Sequence, residues 1–154
     1  MIRRLLTASV LATAGVMAAT PAFAQEVGTT DVPFNATVEA FCEFGEVTAG
    51  EMVVNEAGTA LSSVEGTSGI APLTCNSGST VAAGDVVEDP ANPATFTGFT
   101  VTLSDGNNQT TQDLTIDDPV TDQDITVDLE TAESEVPVPA GDYTLTVPLT
   151  ATPN

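Results

Sequence analysis

The sequence predicts an all-β domain built as a β-sandwich of about seven or eight short antiparallel strands. Three observations predict this class. Apolar and polar residues alternate with a period of two in several segments, residues typical of turns separate these segments, and no segment has a convincing helical period. The two cysteines of the 154-residue chain, Cys42 and Cys75, add one expected disulfide if the chain is exported.

The N-terminus has the pattern of a bacterial secretory signal peptide. Both basic residues, Arg3 and Arg4, precede an apolar run over residues 5–19, and residues 22–24 have the A-x-A form of a cleavage site. We therefore expect residues 1–24 to be removed and residues 25–154 to form a single β-sandwich domain. The expected location is the periplasm or the cell surface of a bacterium.

The charge of the chain excludes several classes of partner. The sequence has 22 Asp and Glu residues, two Arg, no Lys and no His, for a formal net charge of −20. Loss of the two arginines with the signal peptide would change −20 to −22 and leave no side-chain cation. Nucleic acid and anionic lipid surfaces need basic patches, so we expect neither as a partner, and no membrane insertion.

The same composition argues against an enzyme. Without His or Lys, no Ser–His–Asp or Cys–His arrangement can form, and acid–base chemistry would depend on carboxylates alone. A carboxylate pair of the glycosidase type remains formally possible. However, sugar-binding clefts usually contain aromatic residues, and the chain has no Trp and one Tyr. We predict no catalytic residues.

The longest alternating segment precedes the first cysteine and predicts a half-buried strand. Its apolar face is formed by Val32, Phe34, Ala36, Val38, Ala40, Cys42 and Phe44. Shorter strands are predicted over residues 71–75, 99–103 and 125–129. The sequence of residues 104–108 predicts a hairpin turn, with Leu114 and Ile116 on the returning strand. Weak strands are predicted near residues 52–54 and 81–87, and loops at residues 66–69, 89–93 and 136–139.

The last predicted strand lies within residues 140–154. Tyr143, Leu145, Val147, Leu149 and Ala151 alternate there with polar residues or proline. Since no further strand follows in the sequence, we expect an edge with an apolar face that needs a neighbour. Pro148 has no N–H group and should cost one ladder hydrogen bond. Tyr143 is expected to turn inward and to hydrogen-bond across a corner of the sandwich.

An acidic stretch, "IDDPVTDQDITVD", is the candidate metal site. Asp117, Asp118, Asp122 and Asp124 offer the hard oxygen ligands that Ca²⁺ prefers. Their spacing does not match a calcium-binding loop, and a solvated turn is the alternative interpretation. Zinc is excluded, because the chain lacks His and both thiols are expected to be oxidised. Apart from this weak calcium site, no cofactor is expected.

Three parts of the chain together resemble a known family. These are "VPFNATVEAFC", "LTCNSGS" and the closing "PAGDYTLTVPLTATPN". They are similar to the spore coat U-like pilin domain of the archaic chaperone–usher systems. The resemblance implies an incomplete immunoglobulin-like sandwich whose groove accepts a strand from the next subunit. It also implies like subunits and a periplasmic chaperone as partners.

Carried onto this chain, the resemblance implies a role for two sets of residues. Val32, Phe34, Ala36, Val38 and Ala40 would be donor residues, and Tyr143, Leu145, Val147 and Leu149 would line the acceptor groove. Between the predicted cleavage site and Val32, Val27 is the only large apolar residue. The alternating segment must therefore serve either as the first strand of its own domain or as the donor.

Two functions follow as expectations. The first is a secreted, pilin-like structural protein of the cell surface that assembles by β-strand donation. The alternative is a self-complete, acidic extracellular binding module that takes calcium, or a cationic or polysaccharide surface.

Overall fold

The computed structural model describes residues 28–154, so the predicted signal peptide lies outside the described residues. The chain divides into two units, Met1–Ala36 and Thr37–Asn154. The described part of the first unit, residues 28–36, forms neither helix nor strand and is exposed throughout. The second unit contains all the strands described below.

Residues 28–154 are all-β, antiparallel and without a helix, which confirms the predicted fold class in its broad form. Within this range the strands are β1 (Cys42–Phe44), β2 (Glu51–Val54), β3 (Leu61–Thr67), β4 (Gly69–Cys75), β5 (Ser79–Ala83), β6 (Val87–Glu88), β7 (Phe99–Ser104), β8 (Gln109–Thr110), β9 (Leu114–Ile116), β10 (Val120–Thr131), β11 (Leu145–Thr146) and β12 (Leu149–Pro153). These twelve segments exceed the seven or eight strands predicted. No helix in the described part of the chain is long and apolar enough to cross a membrane.

The largest sheet is organised around β10. On one side, β10 pairs with β4 and, further along, with β3; on the other side it pairs with β7, which continues to β8. Strands β1 and β2 pair with the outer edges of β4 and β3, and Thr48 bridges to Ile70 between them. Residues 42–54 therefore form one interrupted edge that runs antiparallel to residues 61–75.

A second, smaller layer contains the end of the chain. Strand β5 pairs with β12 on one side and with β9 on the other, and β6 pairs with β11. The side chains that these sheets bury against each other form the core. Its buried members are Leu73, Cys75, Val81, Leu103, Leu114, Ile116 and Ile125, contributed by strands of both layers.

The expected disulfide is confirmed. Cys42 of β1 and Cys75 of β4 are directly opposite each other in the strand register, and their sulfur atoms are bonded. Cys75 is almost fully buried in the core. The bond therefore ties the edge segment of residues 42–54 to the centre of the larger sheet.

The long strand predicted over residues 32–44 is wrong for most of its length. Only Cys42–Phe44 is a strand, and residues 28–41 have no strand assignment and are exposed. Val32, Phe34 and Val38 are 66%, 92% and 81% exposed. Alternation indicates that a segment is suited to cover an apolar face, but it does not supply the partner strand.

Two further predictions are corrected. Leu114 and Ile116 do not return from the hairpin turn at residues 104–108; that position is taken by β8, and β9 pairs with β5 in the other layer. The loop predicted at residues 66–69 is mostly strand, at the junction of β3 and β4. The weak strands near residues 52–54 and 81–87 are present as β2, β5 and β6.

The hairpin turn between β7 and β8 is held by one carboxylate. Asp105 accepts hydrogen bonds from the backbone N–H groups of Asn107 and Asn108, at 2.8 and 2.6 Å, and Gly106 has a positive φ of 86°. The Asn108 N–H, which favours the charged carboxylate, lowers the pKa of Asp105 below its ordinary value of 3.8.

This turn gives a pH-dependent prediction for the Asp105→Asn variant. A lowered pKa in the folded state stabilises the fold above pH 3.8, and this stabilisation is lost as the pH falls through the folded pKa. We expect the wild-type protein to melt at a higher temperature than the variant at neutral pH, with the difference shrinking in acid. Melting curves across this range test it; a constant difference would contradict it.

Candidate functional site

The candidate site is an apolar groove of about 450 Å³. One wall consists of the edge residues 44–52, and the other consists of residues 145–149. The floor is formed by residues of β3, β4 and β10. The lining residues are Phe44, Val47, Thr48, Ala49, Gly50, Met52, Ser63, Gly69, Ile70, Ala71, Val127, Leu129, Leu145, Thr146, Val147 and Leu149. The lining contains no charged side chain, although the chain has 22 carboxylates.

The wall at residues 145–149 has the alternation that the sequence predicts. Leu145, Val147 and Leu149 are half-buried, whereas Thr144, Thr146 and Thr150 are exposed. By contrast, Leu73 and Ile125 of the core are fully buried. The apolar side chains of the last strands therefore lean toward the interior but keep one side uncovered along the groove.

The backbone of this wall also has an unpaired edge. The carbonyl of Pro148 accepts a hydrogen bond from the Gly84 N–H at 2.8 Å, and the Asn154 N–H donates to Gly78. Even-numbered residues of β12 thus point their backbone groups toward β5, because a strand residue directs its N–H and C=O to the same edge. Leu149 and Ala151 direct theirs to the opposite edge, where no strand of the described residues pairs.

These backbone directions show which edge of the strand lacks the N–H group of Pro148. The expected missing N–H belongs to the edge that faces Gly84 and β5. It does not interrupt the free edge beside the groove, where Val147 and Leu149 keep their backbone donors. Pro148 instead lies in the break between β11 and β12.

The opposite wall is the edge segment that follows the disulfide. Residues 42–54 pair only with residues 61–75, so this segment also has one edge without a strand partner among the described residues. Val47 is 64% exposed on it. The groove therefore lies between two free strand edges and has an apolar floor that includes Val127 and Leu129.

Tyr143 differs from the other predicted groove residues. Its hydroxyl donates a hydrogen bond to the Pro139 carbonyl at 2.9 Å, and its ring lies 5.6 Å from that of Phe96. Tyr143 is not among the residues that line the groove. Its hydroxyl is satisfied by a carbonyl four residues earlier in the chain, and the predicted role at a corner of the sandwich stays a prediction.

The predicted donor residues belong to a segment that we call the arm, residues 28–40. Every residue of the arm is exposed, and none is in a strand. Its central seven residues, "VPFNATV" at positions 32–38, carry no charge and lie between Asp31 and Glu39. The arm thus contains an uncharged, alternating stretch in a strongly acidic chain.

The four aspartates of the candidate calcium site do not form one in the structure. Among residues 28–154, no group of three or more acidic or cysteine side chains is arranged to hold a metal ion. Asp117 and Asp118 lie in the turn between β9 and β10, and Asp124 lies on β10 opposite Pro72. Asp122 lies at an irregularity of β10 and has a φ of 50°. Its backbone N–H donates a hydrogen bond to Thr74 Oγ1.

Comparison with known proteins gives no relative. No protein-family model, curated protein or solved structure matches the chain. The groove and the arm are therefore interpreted from their own geometry.

Half of the groove was not predicted from the sequence. The wall at residues 44–52 contains Val47 and Met52, which are not part of an extended alternating pattern. Val127 and Leu129 do alternate, but alternation alone does not distinguish a groove floor from a covered core. The signal in the sequence was the alternation of Leu145, Val147 and Leu149, which predicted an apolar face along the wall at residues 145–149.

Proposed function

We propose that this protein is a secreted, pilin-like structural subunit of the bacterial surface, and that its groove accepts a β-strand donated by the arm of a like subunit. In this proposal the domain is an incomplete immunoglobulin-like sandwich, and the donated strand completes it. The observation that carries this proposal is an apolar groove between two free strand edges, in a chain whose exposed arm contains an uncharged, alternating stretch at residues 32–38.

The spacing of side chains supports this assignment. Leu145, Val147 and Leu149 are two residues apart, so they repeat about every 6.8 Å along the wall. The apolar residues of the arm have the same repeat from Val32 to Val38. Seven extended residues span about 23 Å, which allows several arm side chains to enter the groove at once.

The free backbone edges support it as well. A strand inserted into the groove can pair with the N–H and C=O groups of Val147 and Leu149, which line the groove and have no strand partner in the described part of the chain on that edge. Addition of a strand to such an edge gives affinity through main-chain hydrogen bonds and specificity through alternate side chains. Pro148 does not interfere, because its missing donor is on the other edge.

The charge distribution favours the arm over other parts of the chain as the inserted strand. Burial of an unpaired carboxylate is costly, and the chain has no cation after Arg4 with which to pair one. The stretch of residues 32–38 enters an uncharged groove without that cost. Asp31 and Glu39 then mark the two ends of the buried stretch.

The experiment is expression of the full-length chain in a bacterial periplasm, followed by electrophoresis of unheated samples in SDS. We expect the wild-type chain to form SDS-resistant oligomers, and a variant that lacks residues 28–38 to form none. A synthetic peptide of residues 28–40, added in excess during assembly, should convert oligomers to monomers because it occupies the groove.

The matched control moves one aromatic side chain to the other face of the arm. The Phe34→Asn/Asn35→Phe variant keeps length, composition and charge but breaks the alternation. We expect it to give far fewer oligomers, and the corresponding peptide to compete poorly. A stable wild-type monomer that ignores the arm peptide would refute the proposed function.

A further inference from the structure

Asn76 holds the base of the arm with its side chain. The Asn76 Oδ1 atom accepts a hydrogen bond from the Phe41 N–H at 2.8 Å, and Nδ2 donates to the Glu39 carbonyl at 2.8 Å. The Asn76 backbone N–H also donates to the Phe41 carbonyl, at 3.2 Å. The side-chain amide thus pairs with the arm backbone as a peptide group of a neighbouring strand would.

These contacts extend the ladder of β1 and β4 beyond the disulfide. Cys42 is opposite Cys75, and the next pair outward is Phe41 with Asn76. Residues 39–41 are therefore fixed as a continuation of β1, with the chain running outward from Cys42. Among the described residues, Asn76 is the only one found to form hydrogen bonds with residues 39–41.

The groove extends in the opposite direction. Its wall begins at Phe44 and continues through Val47 to Met52, on the other side of Cys42 from residues 39–41. For the arm to fill the groove of its own chain, the backbone must reverse near residues 40–41. Such a reversal breaks the hydrogen bonds of Asn76 to Glu39 and Phe41.

Length does not prevent this reversal. Residues 28–38 span about 36 Å when extended, which is more than the wall formed by residues 145–149 requires. A released arm could therefore turn back and cover its own groove. The restraint lies at the base of the arm, in the contacts of Asn76.

We propose that Asn76 is a positioning residue that directs the arm away from the groove of its own chain and toward that of a second copy. The inference rests on the proposed function. Its effect is to disfavour a self-completed monomer, which would otherwise compete with assembly. Loss of two neutral hydrogen bonds corresponds to roughly a 5- to 100-fold change in the ratio of the two arm directions.

The test is the Asn76→Ala variant of the full-length chain, compared with the wild type in SDS electrophoresis and in hydrogen exchange measured by mass spectrometry. We expect the variant to give several-fold fewer oligomers and a folded monomer in which residues 32–38 exchange slowly. This slow exchange should not depend on protein concentration, because self-insertion occurs within one chain. In wild-type monomers the same amides should exchange freely.

Two further variants make the result specific. Asn76→Asp keeps the acceptor for the Phe41 N–H but has no donor for the Glu39 carbonyl, so we expect the same direction of change while the site keeps its shape. Asn108→Ala removes an asparagine from the β7–β8 turn, away from the groove lining, and should match the wild type.

The outcomes separate the inference from the proposed function. If wild-type oligomers form and the arm peptide disperses them, but both Asn76 variants assemble as the wild type does with no protected monomer, the positioning role is overturned. If the wild type forms no oligomers and does not respond to the peptide, the proposed function itself fails. Fewer oligomers with a protected monomeric arm support the inference.

Discussion

We expect the Cys42→Ser/Cys75→Ser variant to lose about 3–4 kcal/mol of its free energy of unfolding. The disulfide closes a loop with a sequence separation of 33 residues, and its removal returns conformational freedom to the unfolded chain. Such a loss is a large fraction of the roughly 5–15 kcal/mol that stabilises a typical domain. Urea unfolding at neutral pH measures it.

The control for this prediction is the wild-type protein with and without a reducing agent. Reduction should destabilise the wild type by a similar amount and leave the serine variant unchanged. The variant should also assemble less well, because Cys42 lies in the chain between the arm and the groove wall that begins at Phe44. A loss below about 1 kcal/mol would mean that the β1–β4 pairing holds this edge by itself.

The second large effect is expected for Val147→Asp. Val147 lies in the middle of the wall formed by residues 145–149, half-buried with its side chain on the groove. A donated strand would bury the new carboxylate without a cation to pair it. We expect the affinity for the arm peptide to fall by about 100-fold or more, and SDS-resistant oligomers to disappear.

Thr150→Asp is the matched control for Val147→Asp. Both changes replace a β-branched residue near the end of the chain by the same charge, but Thr150 is exposed and does not line the groove. We expect Thr150→Asp to bind the arm peptide nearly as well as the wild type. Equal loss in both variants would indicate that charge in this region, and not occupation of the groove, controls assembly.

The last strands could be predicted from the sequence because their apolar residues are also the residues that the fold partly buries. Leu145, Val147 and Leu149 are half-buried and face the interior, and Thr146 and Pro148 between them are exposed. The arm has an equally regular pattern, yet its apolar residues are exposed. Alternation of apolar and polar residues shows that a segment has an apolar face. It does not show which surface that face packs against, because this depends on tertiary structure.

Strand β3 could not be predicted because two of its three buried residues are polar. Ser62 and Ser63 are 5% and 4% exposed, and their hydroxyls donate hydrogen bonds to Glu130 and Asp128 of the neighbouring strand β10. The Ser63 hydroxyl also accepts a hydrogen bond from the Leu129 N–H. These partners satisfy groups that hydrophobic periodicity counts as solvent-facing, so the segment had no apolar pattern to detect.

The exposed arm has a consequence for proteolysis. Exposed segments without secondary structure are the sites that proteases cut first, but the chain has no Lys or Arg after Arg4. Trypsin-like enzymes therefore find no cleavage site in the described part of the protein. Enzymes that cut after aromatic residues find Phe34, which is 92% exposed, and Phe41 at the base of the arm. Residues 28–154 should thus resist trypsin-like proteases and lose the arm to enzymes that cut after aromatic residues.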